Sequence, residues 1–261
     1  SVIMPTYNAG KYLADSINSI LNQSYKNLEL LITDDASTDP TTLQLLQEFA
    51  SKDNRVDILY LKENHGAGYA RNKSIERAKG RYIAFCDSDD RWTTDKLEKQ
   101  IAFMNKKKCA LSCASYIIFD GETQDEIGFC TAPKKITYGM MKRDNKVGCL
   151  TAIYDVQMLG RKFFMPTIRK RQDWALFLQI IRECKVCYAY PDKPLAYYCM
   201  RRNSISSNKM SLMKYNIAVY KEILGFHPIK AKLYFFTLFL PTYGAKILKR
   251  KFDSYTFTHK K

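Results

Sequence analysis

Two hydrophobic periods alternate along residues 1–106, and this alternation constrains the fold more than any other feature of the chain. Apolar, largely β-branched runs at 1–6, 28–33, 56–61 and 81–86 read as strands, and the segments 11–24, 41–51, 68–78 and 94–106 between and after them read as helices. Within 11–24, for example, Leu13, Ile17, Ile20 and Leu21 recur at helical spacing. The turn residues Ser37-Thr38-Asp39-Pro40 precede the second helix. Strands connected through helices lie parallel, joined by right-handed crossovers, so the expected class is α/β with a mostly parallel central sheet and helices on both faces. Such a sheet binds ligands at the carboxyl ends of its strands. Four polar clusters fall at those ends: Tyr7-Asn8, Asp34-Asp35, Asn64-His65-Gly66 and Asp87 to Asp90. One pocket is expected to collect them.

The pattern changes after Lys108. A hairpin is expected from 110–119 and 126–130 around Asp120-Gly121, with further strands at 150–154 and 195–200. Between these strands, Asp173 to Cys184 carries Trp174, Phe177, Leu178 and Ile181 on one helical face. The expected organisation is an α/β half over 1–108, a mixed half of the same domain over 109–209, and basic amphipathic helices over 210–261.

The 42 Lys and Arg residues against 26 Asp and Glu, a formal net charge of +16, direct the chain toward anionic partners. Nucleic acid is one such partner, but no known nucleic-acid module and no one-sided cluster of basic and aromatic residues supports it. The eight cysteines are spread through apolar stretches of a chain too large to need disulfide staples, which fits a reducing cytosol. Cys184 and Cys187 form the one close pair; with no second pair to complete a zinc site, they read as two buried thiols. No signal peptide and no apolar run of membrane-spanning length is visible. The chain begins inside an apolar segment, Ser1-Val2-Ile3-Met4, so native residues are expected to precede it.

Asp87, Asp89 and Asp90 place three carboxylates in four positions directly after a buried strand. Carboxylate oxygens suit Mg²⁺ or Mn²⁺, which take one or two protein carboxylates together with substrate phosphates. A calcium loop would place Asp87, Asp89 and Glu98 at positions 1, 3 and 12, but Trp92 stands where that loop needs glycine. A solvated acidic turn capping the next helix is the plainer alternative. There is no Walker-type phosphate loop, and Gly66-Ala67-Gly68-Tyr69-Ala70-Arg71 lacks the third glycine of a dinucleotide fingerprint. Those glycines nevertheless open a helix carrying Arg71, so backbone amides and a guanidinium face the same ligand position.

Five elements, in this order and spacing, resemble the family 2 (GT2) glycosyltransferases of the GT-A fold. They are Pro5-Thr6-Tyr7-Asn8, Asp34 to Asp39, Asn64-x-Gly66 with Ala70-Arg71-Asn72, Asp87-Ser88-Asp89-Asp90, and Gln172-Asp173-Trp174. The resemblance covers about residues 1 to 205 and leaves the tail outside. It implies an inverting, metal-dependent hexosyl- or N-acetylhexosaminyltransferase that uses a UDP-sugar in bacterial-type surface polysaccharide synthesis. The implied acceptor is an oligosaccharide or an undecaprenyl-diphosphate-linked saccharide. Pro5 and Tyr7 would line the uracil pocket, and Asp35 would accept from the uracil N3. Gly66 and Arg71 would lie near the diphosphate, Asp87, Ser88, Asp89 and Asp90 would share the metal and ribose contacts with Asp89 foremost at the metal, and Asp173 would be the general base.

Two positions depart from the family pattern. Gln172 stands where an acidic residue often precedes the base, and Met200 to Ser206 lacks a family histidine. Arg201 or Arg202 replaces that histidine at the diphosphate, or both are surface charges. His65, His227 and His259 read as surface residues. Arg169-Lys170-Arg171 either attracts an acceptor phosphate or is a solvated basic loop.

The tail interleaves lysines with Leu233-Tyr234-Phe235-Phe236 and Leu238-Phe239-Leu240. That composition suits helices lying in an anionic membrane interface, and equally helices packing on the core with solvated lysines. The first reading places the chain in the cytoplasm, peripheral on the inner face of the cell membrane. A non-catalytic protein that binds membrane or nucleic acid is the alternative from another class, and it is expected to have lost Asp87, Asp89 or Asp173.

Overall fold

The structure, a computed structural model, describes residues 1–201 and 209–259, excepting the side chains of 209–212. Strands β1 (Val2–Thr6), β2 (Leu30–Asp34), β3 (Val56–Tyr60) and β4 (Tyr82–Phe85) alternate with helices α1 (Tyr12–Leu21), α2 (Pro40–Lys52) and α3 (Ala67–Arg77). A two-residue strand β5 (Arg91–Trp92) and helix α4 (Lys96–Lys107) follow. The mixed half supplies β6 (Leu111–Ala114), β7 (Tyr116–Asp120), β8 (Glu126–Cys130), β9 (Lys135–Thr137), α5 (Tyr138–Arg143), β10 (Ile153–Asp155), α6 (Val156–Leu159), α7 (Gln172–Cys184), β11 (Val186–Tyr190) and β12 (Ala196–Met200). The tail forms α8 (Lys209–Ala218), α9 (Pro228–Tyr234) and α10 (Leu240–His259), with π-helical turns at Val219–Ile223 and Phe235–Phe239.

The main sheet has eight strands in the order β3-β2-β1-β4-β10-β6-β11-β9, and a four-stranded sheet runs β5-β12-β7-β8. β1 to β4 pair in parallel, whereas β10 runs antiparallel to both β4 and β6. The strand alternation sorts the core into two layers. Val2, Met4, Leu30 and Ile32 turn to one face with the apolar sides of α1, α2 and α4, and Ile3, Leu31, Ile83 and Phe85 turn to the other with α3 and α7.

Three expectations need correction. The single strand expected over 110–119 is two strands, β6 and β7, which separate at Ser115 into different sheets. The strand expected from Leu150 starts later, because Cys149–Thr151 form a 3₁₀ turn before β10. Of the expected pair of buried thiols, Cys187 is buried beside Cys113 (Sγ–Sγ 3.8 Å), but Cys184 at the end of α7 is only partly buried. The hairpin of β7 and β8 forms as expected.

The tail has two faces. Tyr220, Ala231, Phe235 and Phe239 are buried in the core layer of α7, where Trp174 packs 5.6 Å from the rings of Tyr220 and Phe239. α10 then lies along β8, with Phe129 stacked on Phe257 and the Phe129 amide donating to Ser254 Oγ at 3.0 Å. Packing on the core therefore accounts for one face of these helices only.

Candidate active site

The site begins at a proline. In a parallel strand successive N–H groups point to opposite neighbours; Val2 N–H donates toward β2, to Glu29 O at 2.9 Å, so the nitrogen of Pro5 faces β4 and has no proton to give. Pairing of β1 with β4 accordingly ends at Ile3 and Phe85. The strand order reverses at this same place, with β2 and β3 on one side of β1 and β4 on the other, so a crevice opens at the carboxyl ends of β1 and β4.

Around the crevice many of the polar motif residues hold loops. Asn8, at φ +46°, accepts at Oδ1 from Thr38 N (2.8 Å) and Asp39 N (3.0 Å), which ties the end of β1 to the loop after β2. Asp39 caps α2 by accepting from Thr42 N at 2.7 Å, and Asp34 accepts from Ser37 N at 3.0 Å. Asp35 is buried and accepts from two backbone amides, His65 N at Oδ1 (2.9 Å) and Gly66 N at Oδ2 (2.7 Å). Each of its oxygens retains a lone pair. Tyr7, 52% exposed, leaves a free ring face beside this loop cluster.

Gly66 has φ +89° and ψ 158°, a conformation open essentially only to glycine, and from it the chain turns into α3. Gly68 serves closeness instead: a Cβ there would lie 2.9 Å from Gln172 Cγ, so its absence lets the start of α7 pack on the start of α3. Asn72 fastens the approach to α7 by donating to Met165 O (2.8 Å) and accepting from Met165 N (2.7 Å). Arg71, one turn into α3, is buried and donates through Nη2 to Asp87 Oδ1 at 2.5 Å. Burial works against its charge, but Asp87, Cys149 and Asp173 together outweigh burial and hold the guanidinium proton above its ordinary affinity.

The three aspartates after β4 face different surroundings. Asp87 is half-buried against Arg71, and Asp90 N donates back to Asp87 O at 3.1 Å to close the turn in which the half-buried Ser88 lies. Asp89 forms an ion pair with Arg201, whose guanidinium lies 5.2 Å from the Tyr12 ring. Asp90 is buried and accepts from Cys199 N at 2.9 Å, which ties β12 to the turn. Burial, and then the crowding of like charges, pushes the Asp89 and Asp90 carboxyls above the usual range. Arg202 lies outside the described residues.

Among the described residues no three His, Cys, Asp or Glu side chains form a closed ion cage. The donor set fits an ion that completes its shell with substrate phosphate and water: Asp87 and Asp89 carry hard oxygens, each with one guanidinium partner, Arg71 and Arg201, and so with further lone pairs to give.

Asp173 is the second residue of α7, where a carboxylate complements the helix dipole. Its Oδ2 accepts from Asn145 Nδ2 at 2.8 Å. Arg71 lies within the fields of both Asp87 and Asp173, and the Cys149 thiol, pushed up by burial, lies within those of Arg71, Asp87, Asp173 and Asp90. The fold thus gathers Arg71, Asp87, Asp89, Asp90 and Asp173, and sets Tyr7 and Asp35 at the neighbouring strand ends. Sequence reasoning overlooked Asn145 and Cys149, which sit in loops with no period or motif around them. Of the basic run before α7, Arg171 donates through Nε to Asn216 Oδ1 at 2.8 Å, which turns it to the tail.

A sheet whose switch point carries an acidic turn, with a buried arginine paired to that turn and within the field of the α7 carboxylate, marks the class: a glycosyltransferase of the GT-A fold. Residues 1–164 match the family model of glycosyl transferase family 2, and the chain belongs to that family. It is 44% identical over 233 residues to the putative teichuronic acid biosynthesis glycosyltransferase TuaG of Bacillus subtilis (strain 168), covering 88% of this chain and 90% of that protein. It is 38% identical over 214 residues to the UDP-Glc:alpha-D-GlcNAc-diphosphoundecaprenol beta-1,3-glucosyltransferase WfgD of Escherichia coli, covering 82% of each. Among solved structures, S. aureus TarS 1–349 in complex with UDP-GlcNAc superposes with a TM-score of 0.67 at 21% identity, covering 89% of this chain and 69% of that one. The mannosyltransferase PcManGT of Pyrobaculum calidifontis, in complex with GDP-Man and Mn²⁺, gives 0.65 at 17% identity over 95% of this chain and 73% of its own. These two likenesses establish the fold.

Proposed function

We propose that the chain is an inverting, metal-dependent hexosyl- or N-acetylhexosaminyltransferase that moves a sugar from a UDP-sugar to a lipid-linked or free oligosaccharide acceptor in surface polysaccharide synthesis. The observation that carries this reading is the buried Arg71, which pairs with Asp87 of the acidic turn and lies within the field of Asp173 at the start of α7. The relatives named for undecaprenol-linked glucosyl transfer and for teichuronic acid synthesis support the acceptor class.

In this reading Tyr7 stacks on the uracil above Pro5, and a free lone pair of Asp35 accepts from its N3. Gly66 lets the backbone approach the diphosphate, and Ser88 and Asp90 border the ribose. Mg²⁺ or Mn²⁺ held by Asp87 and Asp89 would supply Lewis-acid neutralisation of the diphosphate. Arg71 adds a fixed cation on the same side. Asp173 takes the proton of the acceptor hydroxyl as its oxygen bonds to the anomeric carbon, and the bond from that carbon to the diphosphate oxygen breaks with its electron pair leaving on UDP. Attack on the face opposite the departing diphosphate inverts the configuration.

The test is transfer from a panel of UDP-sugars to a polyprenyl-diphosphate-linked GlcNAc acceptor. Transfer is expected with Mn²⁺ or Mg²⁺, with loss on addition of EDTA. Absence of UDP binding in the presence of Mn²⁺ would overturn the donor assignment.

The same reading seats the chain on the inner face of the cell membrane. Among the described residues no helix is long and apolar enough to cross a membrane. The face of α9 and α10 turned away from the core instead exposes Leu233, Phe236, Leu240, Leu248, Phe252 and Tyr255, at spacings of three, four or, around Gly244, eight residues. Exposed Lys230, Lys232 and Lys251 flank this stripe, and apolar rows beside lysines suit an anionic lipid surface. Flotation with vesicles containing phosphatidylglycerol, but not with pure phosphatidylcholine, is expected for the chain and is expected to be lost in Leu248→Gln/Phe252→Gln. Unchanged flotation of that double variant would remove the stripe from membrane binding.

A further inference from the structure

We propose that Asn145 is the positioning residue of Asp173 and that the C-terminal helix, through Lys246, holds Asn145 in place. This inference rests on the reading of Asp173 as the base. The loop after α5 carries a buried carboxylate, Asp144, whose Oδ2 meets two ammonium groups, Lys146 Nζ and Lys246 Nζ, each at 3.1 Å. Lys246 comes from α10, about a hundred residues further along, and its Nζ also donates to the backbone oxygen of Asn145 at 2.5 Å. One side chain of the tail therefore grips two consecutive residues of this loop.

The loop also determines which way the Asn145 amide points. Its Oδ1 accepts from Val147 N at 3.1 Å, which commits the oxygen to the local turn and leaves the NH₂ group for Asp173 Oδ2 at 2.8 Å. A primary amide donates here, so the contact holds one oxygen of the Asp173 carboxylate still. The other oxygen of Asp173 remains for the acceptor hydroxyl. None of this machinery lies in the five motifs. It joins the proposed base to the helix whose outer face carries the exposed apolar stripe, so seating of the tail and orientation of the base share one ion cluster.

The test is the initial-rate kinetics of transfer by the full chain, with kcat and KM separated, compared among wild type, Asn145→Ala, Lys246→Met, Lys246→Arg and Asp173→Asn. Loss of the hydrogen bond that orients Asp173 is expected to lower the kcat of Asn145→Ala about ten- to a hundredfold, while the KM for UDP-sugar stays unchanged. Lys246→Met is expected to lower kcat the same way by less, and Lys246→Arg to restore it. If Asp173→Asn is inactive but Asn145→Ala keeps the wild-type kcat, the positioning role is wrong and the base assignment stands. If Asp173→Asn keeps full transfer, the base assignment itself is wrong. A wild-type kcat for Lys246→Met would sever the tail from the site. Should Asn145→Ala lose UDP binding through misfolding, the Lys246→Met and Lys246→Arg pair decides.

Discussion

Asp173→Asn is expected to lower kcat by about a hundred- to ten-thousandfold, the usual contribution of a positioned general base, while UDP binding is retained. Asparagine keeps the shape of the side chain and can still meet Asn145 Nδ2 through its oxygen, so the start of α7 and its packing on Gly68 are unaltered. The substitution removes the one acidic side chain in the first turn of α7. Gln172, which precedes it, is occupied in donating to Arg169 O at 2.7 Å and carries no proton-accepting carboxylate as a substitute. Initial rates at saturating UDP-sugar, with UDP affinity measured by calorimetry, check this. Full activity in Asp173→Asn would assign proton transfer to another group.

Lys96→Met is expected to stabilise the fold by about 3–5 kcal/mol at pH 7, the largest stability effect anticipated for the chain. Lys96 opens α4, is fully buried, and has no hydrogen-bond partner for Nζ among the described residues; its ammonium group lies 4.1 Å from the Trp92 ring. A cation at a helix N-terminus also opposes the dipole. Burial brings its pKa down to about 7 from an unfolded value near 10.5. Between those values the unfolded chain binds the proton and the folded chain does not. The contribution of Lys96 to wild-type stability therefore rises with pH from about 7 to about 10.5 and is constant below, whereas the Lys96→Met variant lacks this contribution. Urea unfolding at pH 7 and pH 9.5 reads both effects, and a variant no more stable than wild type at pH 7 would show that the buried amine is compensated.

The first half of the fold was legible because β1, β2 and β4 are buried on both faces and its helices on one, and those two periods differ plainly in the sequence. β5, β9 and β11 were not legible. β5 and β9 hold two and three residues, too few to display a period, and β11 follows α7 after a single residue. The break at Ser115 was hidden for another reason: residues 110–119 form one continuous run of strand-forming residues. What divides them is the partner each end finds, β10 and β11 for β6, β8 and β12 for β7.

At the site, the chemistry was written locally. Carboxylates at a strand end and glycines opening a helix are arrangements of residue type and short spacing that raise the expectation of a cation and a diphosphate, and the family resemblance adds the expectation of a base at the start of another helix. How those groups divide the work depends on burial and on partners distant in the chain. Asp87, Asp89 and Asp90 are one residue type within four positions, yet Arg71 pairs with the first, Arg201 with the second, and the Cys199 amide with the third. Asn145 meets Asp173 across 28 residues, and Lys246 reaches Asn145 across 101. Sequence patterns record local propensity and the period of burial, so they determined the α/β class and the kinds of group in the crevice. The roles of those groups come from electrostatic and hydrogen-bond partners that only chain folding brings within 3 Å, and these the tertiary structure alone decided.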